Sequence, residues 1–110
     1  MKRFDPAAIA REATPAAPGR PTMTIAHDVD DGRLVIFRLD PGQKVATHTS
    51  QSSVILHVVS GRGFVTGGER EEEAHAGEMF AFAPAEPHGM RAGEEPFVVA
   101  AIITPRPRNR

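Results

Sequence analysis

Five histidines hold most of the chemistry open to this chain, because its 110 residues include no Cys and no Tyr. Without Cys there is no thiolate nucleophile, no thiolate metal ligand and no disulfide framework. Imidazole serves as a metal ligand, a proton donor or acceptor, or a polar wall in a cavity. His48 stands two residues before Ser50 in a β-prone stretch, and a side-chain period of two puts both on one face. If that strand runs unbroken, the same face carries Val54, Leu56 and Val58, while His57 has the opposite parity and points away. His88 follows a turn containing Pro84 and Pro87, and Glu86 is the only carboxylate close in sequence to either His48 or His88. His75 reads as a surface residue in a hairpin, and His27 has no partner legible in the sequence. No nucleophile elbow, P-loop or dinucleotide fingerprint is present, and the glycines at 61, 63, 67 and 68 read as hairpin punctuation.

Residues 41–61, PGQKVATHTSQSSVILHVVSG, resemble the first motif of the cupin superfamily, G-x5-H-x-H-x3-E-x6-G. Gly42, His48, Ser50, Val54 and Gly61 fall in register with it; Ser50 stands where the second His belongs and Val54 where the Glu belongs. Residues 77–92, GEMFAFAPAEPHGMRA, resemble the second motif, G-x5-P-x-G-x2-H-x3-N, through Gly77 and His88, with the proline displaced to Pro84. Residues 62–76 between them suit the short hairpin of a minimal single-domain cupin. The resemblance implies a double-stranded β-helix, or jelly-roll barrel, in which three His and one Glu converge on iron, manganese, nickel or zinc. Of that set the chain keeps the positions of His48 and His88. Glu86 is the candidate third ligand, provided its turn points inward. Sugar-nucleotide epimerases that share this fold use a His base and a Tyr acid, and this chain has no Tyr.

Positioning these groups falls to short strands. A chain of 110 residues is one domain, able to bury about two thirds of its unfolded surface without a staple. Residues 1–21 form an Ala- and Pro-rich arm in which Pro6, Pro15, Pro18 and Pro21 confine any helix to residues 6–13. The arm reads either as a segment crossing to a second subunit or as a loosely ordered tail. Residues 22–104 are the barrel domain. Strands at 22–27 and 33–39 flank the turn DVDDG, residues 40–42 turn again, and 53–59 is the most β-prone run. Gly67-Gly68 signals a two-residue hairpin before EREEE, most simply a solvated edge, with a guard against pairing with another chain as the second reading. Phe80 and Phe82 read as core, and residues 96–104 are apolar on both faces, so both should be covered. Short strands with Gly and Pro turns indicate an all-β sandwich or jelly roll independently of the resemblance. Residues 105–110 are a basic, solvated tail.

These residues lead to the expectation of a small-molecule binding protein, with His48, Ser50 and His88 as polar contacts and Val54, Phe82 and Met90 as apolar wall. The competing expectation is a metal-dependent dioxygenase or isomerase of a small carbonyl compound, with His48, His88 and Glu86 holding zinc, nickel, iron or manganese at partial occupancy. A third is a dimeric scaffold without ligand. A homodimer is expected, because residues 53–59 and 96–104 supply more apolar strand face than one small sandwich covers. A net charge of -1 gives no case for nucleic acid, and no apolar run approaches the roughly 20 residues of a membrane span. Asp5, Pro6, Arg11 and Glu12 interrupt any secretory h-region, which points to the cytoplasm.

Overall fold

In the computed structural model, which describes residues 1–107, the chain runs through α1 (Pro6–Glu12), β1 (Thr22–Val29), β2 (Gly32–Leu39), β3 (Lys44–His48), β4 (Ser53–Ser60), β5 (Arg62–Gly67), β6 (Arg70–His75), β7 (Met79–Phe82), β8 (His88–Ala92) and β9 (Phe97–Thr104). The strands pair antiparallel in two sheets, one ordered β1-β2-β9-β4-β7 and the other β3-β8-β5-β6. From β2 onward the chain passes back and forth between them, the winding of a double-stranded β-helix. The all-β jelly roll expected from the sequence is the fold observed, built as two facing sheets.

Burial on both faces puts β9 at the centre of its sheet, between β2 and β4. Phe97, Val99 and Ala101 face the opposite sheet and join a core that includes Leu39, Val58, Val65 and Met90. Val98 and Ala100 face outward and pack with Ile36 against Ala10 of α1. The N-terminal arm thus covers the chain's own sheet. Seven residues are too few for a helix to persist alone. Asp5 caps it by accepting from the Ala8 N–H at 3.1 Å, and Arg38 reaches across from β2 to donate to the carbonyls of Ala10 and Ala13. That cover accounts for part of the apolar surplus that suggested a second subunit. Met79 and Ile102 remain exposed on the outer face, beside half-buried Ile55 and His57.

Two sequence expectations need correction. The strand through His48 does not continue to Val58. It ends at His48, and residues 49–52 carry the chain to the opposite sheet, through a serine turn in which the Ser52 N–H donates to Ser50 Oγ at 3.0 Å. Ser50 therefore sits in a turn. The second correction is smaller: the β5–β6 hairpin turns on Gly68-Glu69, one residue later than expected, since Gly67 already pairs with Arg70. The acidic run lies on β6, an edge strand, as expected. Glu71 there accepts two hydrogen bonds from Arg91, at 2.9 and 3.0 Å, which hold its carboxyl below the usual carboxylate range. Of the basic tail, residues 108–110 lie outside the described residues.

Gly42 and Gly61 both take positive φ, at 83° and 79°, but their surroundings differ. A Cβ at Gly42 meets nothing within 4 Å, whereas one at Gly61 would stand 1.9 Å from the Pro96 carbonyl oxygen at the entry to β9. Gly42→Ala should therefore cost about 1 kcal/mol, the conformational term alone. Gly61→Ala should cost about 3 kcal/mol or more, because it adds a backbone clash. Urea denaturation of the two variants measures the difference, and equal costs would refute this account.

Candidate functional site

β3 and β8 are neighbours, and the register between them slips: Val45 pairs with Met90, yet His48 pairs with His88. One extra residue of β3 is taken up between those pairs, which is a β-bulge. Its consequence is a change of parity. In a regular ladder Thr47 would lie opposite His88, and His48 would point to the outer face. With the bulge His48 stands beside His88, ring centroids 4.4 Å apart and planes at 62°. Gly89 permits this, because a Cβ there would sit 2.9 Å from Thr47 Oγ1 and 3.0 Å from the Thr47 backbone.

Both rings are oriented by a carbonyl two residues earlier. His48 Nδ1 lies 3.0 Å from the Ala46 oxygen and His88 Nδ1 lies 2.9 Å from the Glu86 oxygen. A carbonyl only accepts, so Nδ1 carries the proton in each ring, and each neutral imidazole keeps a lone pair on Nε2. His88 is buried and packs on Phe82, ring centroids 5.2 Å apart, while His48 is exposed on the edge strand.

Glu86 contributes its backbone to this pair and sends its carboxylate elsewhere. Oε1 accepts from the Ala83 N–H at 2.9 Å and closes a turn in which Ala85 has φ 69°. That turn is docked against the one after β3, since the Ala85 N–H donates to the Ser50 carbonyl at 2.7 Å. The structure thus does not bring the candidate third ligand to the two histidines. The remaining histidines are also apart from them: His27 packs edge-on against Phe4, His57 lies on the outer face, and His75 is exposed beside Glu73.

A cavity of about 410 Å³ opens between the sheets. His48, Ser50, Val54, His88 and Met90 line it, as expected from the sequence. Phe82 does not; it lies behind His88 in the core. Sequence reasoning missed Phe37 and Ala101, which complete the apolar wall, and Arg106, read as part of a solvated tail. It also missed Gly89. The signal for Gly89 was present, since an isolated glycine within a strand marks a bulge or a close backbone approach. Nothing local marks Arg106, because its place is set by where β9 ends.

The model of the cupin domain matches residues 35–103. The chain belongs to the cupin family. Solved structures similar to this cupin include a protein with a double-stranded β-helix domain from Klebsiella pneumoniae, at 23% identity and TM-score 0.83, covering 96% of this chain and 91% of that one. An RmlC-like cupin from Desulfovibrio desulfuricans matches at 25% identity and TM-score 0.80, covering 96% and 97%. KdgF from Halomonas sp. matches at 23% identity and TM-score 0.78, covering 86% and 88%. A comparison with curated proteins finds no match.

The donor set of this cupin does not fit a tightly held metal. Its two imidazole nitrogens fall short of the three or more protein ligands that zinc takes, and of the two His and carboxylate of an oxygenase iron. Among the described residues no group of three His, Cys, Asp or Glu is placed to hold an ion.

Replacing Gly89 with Ala should displace the bulge, costing about 1 to 3 kcal/mol and separating the two rings. Nuclear Overhauser contacts between the His48 and His88 rings, present in the parent protein and lost in the variant, check this. In the same spectra at alkaline pH both imidazoles are expected as the Nδ1–H tautomer. Finding Nε2–H in either ring would contradict the assigned hydrogen bonds.

Proposed function

We propose that this cupin binds a small organic molecule with an apolar body between its sheets, with His48, Ser50 and His88 as polar contacts and Val54 and Met90 in the wall. The observation that carries this reading is the cavity itself: apolar side chains from both sheets form its walls, and a few polar groups converge on it, the usual make-up of a ligand site. Phe82 serves indirectly, by backing His88. The two Nε2 lone pairs suit a hydroxyl or N–H donor on the ligand.

The fold by itself does not choose an activity. KdgF shares it, and so does the DMSP lyase DddQ from Ruegeria pomeroyi, at 14% identity and TM-score 0.72, of whose chain this protein covers 54%. One observation favours the metal-dependent reading, namely two open Nε2 atoms on adjacent rings. Two donors alone leave a divalent ion weakly held. We propose that zinc, nickel, iron or manganese binds there only at partial occupancy.

Titration with cyclohexanecarboxamide, followed by amide proton–nitrogen NMR, tests the binding reading. Shifts are expected at Ser50, Ser52, Gly89 and Met90. No change at millimolar probe, or changes confined to other surfaces, would remove it.

Elemental analysis of protein purified without added metal should give well under one ion per chain, and full occupancy by one transition metal would favour the enzyme instead. Ser50→His together with Val54→Glu should raise zinc affinity at least about tenfold, about 1.4 kcal/mol. Val54→Glu alone should destabilise the fold by about 2 kcal/mol, because Val54 is buried and the change puts a carboxylate in the apolar wall.

A further inference from the structure

The cavity is electrically one-sided. Among the described residues, none that lines it is acidic, and Arg106 alone carries a permanent charge. The backbone around Arg106 is anchored twice just past β9: buried Ser52 donates through Oγ to the Pro105 carbonyl at 2.7 Å, and the Arg106 N–H donates to the Asp30 carbonyl at 3.2 Å. Its guanidinium is held far more loosely. Nε stands 3.7 Å from Asp28 Oδ1 and Nη2 stands 3.6 Å from Asp30 Oδ1, both longer than a hydrogen bond. Asp28 is already engaged by Arg33 through both oxygens, at 3.2 and 3.4 Å, and Asp30 is almost wholly in solvent. Long ion pairs between exposed groups contribute little, so a better partner displaces them readily.

We propose that Arg106 is a specificity-determining residue and that the ligand is a small monocarboxylate, its apolar body between the sheets and its carboxylate on the Arg106 guanidinium. This rests on the small-molecule reading above and names the charged end of that molecule. A planar carboxylate matches the two parallel N–H donors of the guanidinium. Among the described residues one lining cation balances one negative charge, which favours a monoanion over a phosphate dianion. A histidine ring in its neutral Nδ1–H form presents a lone pair at Nε2, which accepts rather than donates and so gives a carboxylate no partner.

The test compares cyclohexanecarboxylate with cyclohexanecarboxamide, alike in shape and different in charge, by calorimetry at neutral pH and low salt. The parent protein should bind the carboxylate about tenfold or more tightly than the amide. In Arg106→Gln that preference should fall to within about twofold, the carboxylate losing more affinity than the amide, and Arg106→Lys should retain part of it. If the parent binds both probes equally, or Arg106→Gln keeps the full preference, the assignment of Arg106 is overturned while the small-molecule reading stands. If neither probe binds, both fall together.

Discussion

The structure depends on the double burial of β9. A strand with Phe97, Val99 and Ala101 on one face and Val98 and Ala100 on the other cannot be left open to water on either side. The inner face demands the second sheet, and the outer face demands α1, which is too short to exist without that contact. The arm, the sandwich and the placement of β2 and β4 on either side of β9 thus answer one requirement. The cavity is a by-product of the same arrangement, for toward its C-terminal end β9 presents Ala101 and Ile103 where Phe97 had filled the space.

The site depends on a smaller constraint, the absence of a side chain at Gly89. Close approach of Thr47 to that glycine takes up one residue of β3, and the extra residue reverses the parity of the strand end at His48. His48 is turned from the solvent face to the cavity by this slip and by nothing in its own chemistry. His88 needs no such device, since it shares inward parity with Met90. The two rings therefore meet through backbone geometry, and the carbonyls of Ala46 and Glu86 then fix which nitrogen of each is open.

Two turns and the segment after β9 complete the surroundings of the pair. The Ser50 carbonyl and Ala85 N–H join the turns after β3 and before β8, so Ser50 and His88 are positioned together. Ser52 ties the same turn to Pro105, which brings Arg106 to the cavity. Among the described residues Arg106 is then the cavity's one permanent charge, although it follows β9 and lies 18 or more residues from either histidine.

Much of this was legible in the sequence. The period-two rows of β4 and β9, the glycines and prolines at the turns, and the two gapped motifs established an all-β jelly roll and named His48 and His88, because strand periodicity and turn stereochemistry are local properties of the chain. The continuous row from His48 to Val58 was wrong in detail, since periodicity cannot reveal that a chain changes sheets at a serine turn. His48 and Val54 both face the interior, but from opposite sides. Tertiary structure alone decided the rest: the bulge that turns His48 inward, the diversion of the Glu86 carboxylate to the Ala83 N–H, the folding of α1 onto its own sheet, and the delivery of Arg106 to the cavity. Each depends on which backbone lies within a few ångströms of which other, and that is fixed by packing across the two sheets rather than by the residues next to one another in the chain.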